Sequence, residues 1–332
     1  MQIKQAILQT EKQAVEEFLK TFDLGFNKNS EHVAYIEDEN KIIGTVSITG
    51  NLIMQLAVSK NYQGENLAVK LVDYAVKYLR EKGFYGYKVF TKPQYLPIFE
   101  NMGFRKLVET KSFVALEGGV LDINKTIDAL KTKIVMELGS IQENTGAIVI
   151  NGNPFTKGHM ELLEYALKNH PKVLLFVLEE DASYFTFKER FSLAFIATRP
   201  YYEKVSVLPS TEYIVSKSTF PDYFIKDAND LTKAHAEYDA LIFKNYFMPA
   251  LKISKRYFGT ESSNYMSIYN QTCKEVLGEN SEIVNRFTIN EEEISAKKVR
   301  SLIEEGNIDK ALELVPTSCK ALMKLILGSK QC

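Results

Sequence analysis

Residues 147–167, AIVINGNPFTKGHMELLEYAL, decide the fold. AIVIN (147–151) is a short, continuous apolar run, the pattern of a strand buried on both faces. GHMELLEYALKNH (158–170) reads as a helix, and Asn151-Gly152-Asn153-Pro154-Phe155 is a turn between the two. Thr156-Lys157-Gly158-His159 opens the helix. Ligands in doubly wound sheets bind at the carboxyl ends of strands, where this turn falls. A helix N-terminus there offers unpaired N–H groups and the positive end of the dipole, which suits phosphates. Gly152 lets the backbone approach a ligand closely, and Gly158 makes room beside the helix start. Thr156 and His159 can donate hydrogen bonds to phosphate oxygens. The same spacing fits equally a plain turn in which Thr156 caps the helix and His159 lies on the surface.

Working outward toward the C-terminus, strand and helix keep alternating. VLLFVLEE (173–180) is a second buried strand, followed by the helix FTFKERFSLAFIATR (185–199). VSVLPS (205–210) is a third strand, and LTKAHAEYDALIFKNYFMPAL (231–251) a long helix. KRYFGTE (255–261) and EIVNRFTI (282–289) are the fourth and fifth strands, with the helix MSIYNQTCKEVLG (266–278) between them. Short strands separated by helical crossovers predict an α/β fold with a doubly wound parallel sheet over residues 146–332.

Toward the N-terminus the order is different. A helix (Glu11 to Phe22) precedes the strands HVAYIED (32–38) and KIIGTVSITG (41–50), with Asp38-Glu39-Asn40 in the turn between them. NLIMQLAV (51–58) is a further strand. The long helix after it carries Leu67, Leu71, Ala75, Tyr78 and Leu79 at helical spacing and ends at Gly83. YGYKVFT (85–91), a short helix in QYLPIFENMGF (94–104) and the strand SFVALEGGV (112–120) complete a first domain over 1–118. Residues 119–145, helical at their centre and without a Pro/Ser-rich tether, read as a helical linker.

Composition bounds the function. The 332 residues are 45% hydrophobic and carry 41 basic against 42 acidic side chains, which excludes a globally polybasic nucleic-acid binder. No apolar run reaches the length of a membrane span, and MQIKQAILQTEKQAVEEFLK has no signal-peptide core. Cys273, Cys319 and Cys332 have no metal-ligand spacing, so a cytoplasmic enzyme without a zinc site is expected. His32, His170 and His235 have no partner at suggestive spacing and read as structural or exposed, and Cys273 reads as buried or inert.

Two motifs then identify a superfamily. Asn151–His159 resembles the (H/T)-x-G-H motif of the nucleotidyltransferases, and Ile294-Ser295-Ala296-Lys297-Lys298-Val299-Arg300 resembles their second signature, I-S-x-T-x-x-R. The departure is Lys297, where that family often has Thr. The resemblance implies a nucleotide site that releases pyrophosphate from ATP, with Mg²⁺ bridging the phosphates. His159, Lys297 and Arg300 would be catalytic. Gly152, Asn153, Thr156, Lys157, Gly158, Gly259, Thr260, Glu261 and Ser295 would bind the nucleotide, Ser295 by capping its helix. Arg190 lies in FKERF, after the second strand, a segment that usually lines the acceptor side in that superfamily, and it reads equally well as a solvated helix residue.

The stretches 152–166, 211–227 (TEYIVSKSTFPDYFIKD), 256–261 and 268–270 resemble the citrate lyase ligases, over nearly the full length. That likeness implies activation of acetate with ATP to acetyl adenylate. The acetyl group then passes to the thiol of a phosphoribosyl-dephospho-CoA arm on the acyl carrier subunit of citrate lyase. Ser216, Lys217, Ser218 and Phe220 would shape the carboxylate or adenine pocket. Residues 1–118 resemble the GNAT acetyltransferases: Gln63-Gly64-Glu65-Asn66-Leu67-Ala68 matches their pyrophosphate loop, with Asn66 in place of a glycine, and YLPIFENMGF (95–104) matches a later helix-turn. That part has no obvious general base and would cradle a CoA-like arm. The alternative is an adenylyltransferase acting on a phosphorylated metabolite, fused to an independent acetyltransferase. No nucleic-acid or membrane partner is implied.

Overall fold

The computed structural model describes all residues except 180–182, 217–219, 226, 261–262, 286–287, 290–291 and 331–332. It forms two compact units, one of residues 1–122 with 221–234 and one of 123–220 with 235–332.

The first unit contains β1 (Ile3–Gln5), α1 (Gln9–Lys20), β2 (His32–Asp38), β3 (Lys41–Thr49) and β4 (Leu52–Val58). It continues with α2 (Leu67–Glu81), β5 (Gly86–Thr91), α3 (Leu96–Asn101), β6 (Arg105–Glu109) and β7 (Val114–Gly119). Among the described residues the strands form one mixed sheet in the order β1-β2-β3-β4-β5-β7-β6. The β2–β3 turn has Glu39 and Asn40 at φ +47° and +61°, the left-handed pair whose twist matches antiparallel strands. Leu67, Leu71, Ala75 and Leu79 of α2 are buried against Ile36, Ile48, Val89 and Leu116 of the sheet. Sequence reading does not find β1 and β6, which are edge strands too short and too polar to show alternation.

The second unit begins with α4 (Ile123–Leu138), β8 (Thr145–Ile150), α5 (Lys157–Asn169), β9 (Val173–Val177), α6 (Phe187–Thr198) and β10 (Val205–Pro209). α7 (Ala228–Ile242), which enters this unit at His235, and α8 (Met248–Leu251) lead into β11 (Ile253–Gly259), α9 (Asn264–Leu277) and β12 (Ser281–Val284). A two-residue hairpin pair, β13 (Thr288–Ile289) and β14 (Glu292–Glu293), precedes α10 (Ala296–Glu304), α11 (Ile308–Glu313) and α12 (Lys320–Lys330). The sheet order is β10-β9-β8-β11-β12, and every pairing is parallel. The doubly wound sheet expected from the sequence is therefore present. Chain order reverses direction between β8 and β11, so the loop after β8 lies at the topological switch point.

Three details depart from the sequence reading. α4, expected in a linker, belongs to the second unit, where Lys133 donates to the Val207 carbonyl of β10 at 2.9 Å. The helix expected over 231–251 is interrupted by a π-helical turn at Phe243–Phe247, ahead of Pro249, whose ring cannot continue a regular helix. The fifth strand ends at Val284 rather than Ile289, and the hairpin follows it. Arg256 of β11 is buried between Phe243 and Phe258, 4.6 and 4.7 Å from their ring centres, and donates to Asp239 of α7 at 2.7 Å.

Candidate functional site

β8 delivers the chain into Asn151–Phe155, and a glycine conformation and side-chain hydrogen bonds fix the shape of this loop. Gly152 has φ +63°, a left-handed conformation that costs a side-chain-bearing residue about 1–2 kcal/mol. The Asn153 carboxamide oxygen accepts from the Phe185 N–H at 3.1 Å. Arg190, fully buried on α6, donates to the carbonyls of Asn151 (2.7 Å), Leu178 (2.8 Å) and Phe185 (3.0 Å). Of the two sequence readings of Arg190, the solvated one is overturned: the buried guanidinium clamps the loop to the end of β9. Phe155 then plugs into the core, anchoring the start of α5.

Thr156 is the N-cap of α5, and His159 is its third residue. The Thr156 N–H donates to His159 Nδ1 at 2.9 Å, and the Thr156 hydroxyl lies at the same distance from that nitrogen. A nitrogen that accepts carries no proton, so the neutral imidazole holds its proton on Nε2. The Phe155 ring, 5.2 Å between centroids, limits how the imidazole turns. The Lys157 backbone N–H is taken by the Leu314 carbonyl at 2.9 Å, which leaves the Lys157 ammonium as that residue's contribution.

The second motif comes to the same place. A Cβ on Gly158 would lie 3.3 Å from the Ile294 carbonyl oxygen, so glycine is what lets the start of α5 press against that backbone. Ser295 caps α10, its hydroxyl accepting from the Lys298 N–H at 3.1 Å. Arg300, one turn along α10, donates to the Asn153 carbonyl. Burial lowers the Arg300 guanidinium from its ordinary value while Glu304 raises it, and the group remains cationic at neutral pH. Two helix N-termini thus meet at the switch point, with the Arg300 guanidinium bonded to the loop and Lys297 exposed. This arrangement has the sign and the donors to hold a polyanion.

The remaining expected residues lie at the end of β11. The Gly259 carbonyl accepts from the Asn270 side chain of α9 at 2.9 Å, and the Thr260 N–H donates to the Val284 carbonyl of β12 at 2.9 Å, so these two backbone groups are already engaged within the unit. Glu261, Lys217 and Ser218 lie outside the described residues. The Phe220 ring packs on His235, 5.3 Å between centroids; that histidine is buried and bonded to Tyr265 Oη (2.6 Å) and the Val215 carbonyl (2.9 Å), a structural histidine as expected, and Ser216 is buried. Cys273 is likewise buried, its thiol pushed up to about 12 by desolvation.

A second candidate site lies in the first unit. β4 and β5 pair at Leu52↔Lys88 and Ile53↔Val89, and a cavity of about 350 Å³ follows between their ends. Its walls include Met54, Gln55, Phe90, Met102, Tyr223 and Phe224, and its rim the loop Gln63–Ala68 at the start of α2. Asn66, which stands where the acetyltransferase pattern has glycine, has φ +57°. Asn is among the few residues that tolerate that conformation, so the loop keeps a glycine's path without the glycine. Sequence reasoning did not find Tyr223, because its neighbours in this cavity are more than 120 positions away in the chain.

Comparison with known proteins agrees with both units. Residues 145–323 match the model of the citrate lyase ligase C-terminal domain, and residues 4–116 match the acetyltransferase (GNAT) domain. The chain is 30% identical over 330 residues to the [citrate [pro-3S]-lyase] ligase of Klebsiella pneumoniae, covering 96% of this chain and 94% of that one. The Escherichia coli K12 enzyme of the same name is 29% identical over 329 residues, covering 96% and 92%. That of Haemophilus influenzae is 29% identical over 316 residues, covering 91% and 88%. No helix among the described residues is long and apolar enough to cross a membrane. With a GNAT-like unit followed by a parallel-sheet unit matched over nearly its whole length, the chain is an enzyme that belongs to the citrate lyase ligase family.

Proposed function

We propose that the chain is a cytoplasmic AMP-forming ligase that activates acetate with ATP and acetylates the thiol of a phosphoribosyl-dephospho-CoA arm on the citrate lyase acyl carrier subunit. The observation that carries this reading is the meeting of the α5 and α10 N-termini beside the Gly152–His159 loop, at the switch point of a parallel sheet. An acetate oxygen attacks the α-phosphorus of ATP, and the bond from that phosphorus to the bridging oxygen breaks with release of pyrophosphate. The arm's thiolate then attacks the acetyl carbonyl, and the acyl–phosphate bond breaks with release of AMP. The thiol proton is lost to solvent.

Adenylyl transfer demands positioning and charge neutralisation more than covalent catalysis. His159 Nε2–H would donate to the phosphate oxygens as charge builds on them, its ring oriented by the Thr156 N–H on Nδ1. Lys157, Lys297 and Arg300 would neutralise the triphosphate, while Gly152 and Gly158 keep side chains out of its path. Ser295 would act by capping α10. Gly259 and Thr260, at the carboxyl end of β11, would border the nucleotide, with Glu261 next in the chain. No group of three or more His, Cys, Asp or Glu side chains among the described residues could hold a metal. Mg²⁺ would arrive with ATP and supply charge neutralisation through phosphate oxygens. The first unit would hold the pantetheine end of the arm, for which its largely apolar cavity is suited.

The test is ATP–pyrophosphate exchange with a panel of short carboxylates. Acetate-dependent exchange is expected. Pyrophosphate release that requires a phosphorylated acceptor instead, or none with any acid, would overturn the ligase reading in favour of an adenylyltransferase or a binding protein respectively.

A further inference from the structure

Lys330, the last residue of α12, reaches the loop that leads into α6. Its ammonium donates to the Tyr184 carbonyl at 3.0 Å and pairs with Glu189 Oε2 at 3.1 Å. It also lies over two rings, 5.4 Å from the centre of Tyr184 and 5.5 Å from that of Phe185. The Tyr184 carbonyl and the Phe185 N–H belong to one peptide group, and in a trans peptide they point to opposite sides. On the far side the Phe185 N–H donates to Asn153 Oδ1 at 3.1 Å. A single peptide is therefore held between a cation and the loop after β8. A cation on the carbonyl polarises the peptide and makes its N–H a better donor. Glu189 has a duty of its own: the same Oε2 accepts the Thr186 N–H at 2.8 Å and completes the capping box of α6.

A backbone N–H needs an acceptor opposite it, so the Phe185 N–H decides which end of the Asn153 carboxamide faces it. The oxygen is used there, and the Nδ2–H groups are the end left to meet a ligand. The Asn153 carbonyl is in turn bonded by Arg300, so this residue is held by its backbone from α10 and by its side chain from the loop before α6. We propose, resting on the ligase reading above, that Lys330 is a positioning residue for the nucleotide. By holding the Tyr184 carbonyl it keeps the Phe185 N–H on Asn153 Oδ1, so that the carboxamide offers its Nδ2–H groups to a phosphate. Without the ammonium the peptide is free to turn and the carboxamide loses its fixed sense. ATP is then held less tightly, in the ground state and the transition state alike.

The experiment is acetate-dependent ATP–pyrophosphate exchange by the full chain, read as KM for ATP and as kcat. Lys330→Met keeps an unbranched stem across the two rings and removes the ammonium. It should raise KM for ATP about three- to tenfold, the worth of one hydrogen bond, with kcat within about twofold. Asn153→Ala should raise KM at least as much, and the double variant should be no worse than Asn153→Ala alone, because both substitutions remove the same contact. Glu189→Gln keeps an acceptor for the Thr186 N–H and removes only the ion pair, so it should leave KM within about twofold of wild type. The Lys330 and Glu189 side chains are 28% and 21% exposed, and their variants decide the matter even if Asn153→Ala does not fold. An unchanged KM in Lys330→Met, a loss confined to kcat, multiplied effects in the double variant, or a Glu189→Gln as impaired as Lys330→Met would each overturn the proposal and leave the ligase reading standing. A wild type without acetate-dependent exchange overturns that reading and this proposal with it.

Discussion

His159 carries two separable duties, and one pair of variants divides them. Its Nδ1 accepts the N–H of Thr156, a residue only 1% exposed, at 2.9 Å. Its Nε2–H is the donor assigned to the transition state. Asparagine places Oδ1 two bonds from Cβ, where histidine has Nδ1, so His159→Asn can keep the acceptor for Thr156 while removing the ring's second nitrogen. His159→Ala removes both. Loss of a transition-state donor should lower acetate-dependent exchange about 10²–10³-fold in either variant. Stability should separate them: alanine leaves a buried N–H at the helix start without its partner, costing about 1–2 kcal/mol by denaturant unfolding, and asparagine should cost well under 1 kcal/mol. Exchange in His159→Asn within about tenfold of wild type would refute the donor role. Equal destabilisation in the two variants would refute the assignment of Nδ1 as the helix cap.

Two further expectations concern neighbouring parts of the second unit. Gly158→Ala puts a Cβ 3.3 Å from the Ile294 carbonyl, so α10 must give by a few tenths of an ångström, and exchange should fall roughly 3–10-fold with little change in unfolding midpoint, given that about 1 Å of misplacement can cost 10²; undiminished exchange would show that the two helix starts need not touch. His170 is buried, with Nδ1 on the Asn144 carbonyl and Nε2 on Tyr257 Oη, both at 2.8 Å, and burial lowers its pKa from 6.5, so its contribution is present above that value and lost as pH falls through the lower folded pKa. Melting temperature should therefore decline on acidification below about pH 6.5, more steeply in the wild type than in His170→Gln, and parallel slopes would contradict this.

The fold of the second unit was legible because its signals are local. A buried strand is a run of apolar residues, and the turn after β8 is marked by its glycines, its proline and the threonine that starts α5. Thr156 and His159 could be placed at the helix start for the same reason. What their side chains do could not be read, since the spacing was equally that of an ordinary capped helix. The balance between those readings is changed by Ile294 and Arg300, which contact the loop across more than 130 residues of chain. Arg190 shows the limit from the other side: a charged residue in a helix reads as solvated until its three carbonyl partners are seen.

Alone, the sequence determined most of the elements, the parallel character of the second sheet and the two motifs, because hydrophobic period, turn residues and helix caps act over a few positions. The tertiary structure decided which residues share a site. It set the start of α10 against that of α5 and buried Arg256 beside Asp239. It also returned Tyr223 to the first unit, to stand between β4 and β5. Those contacts join residues far apart in the chain, and they depend on backbone groups that a turn or a bulge turns out of the ladder, a matter of geometry that composition and spacing do not record.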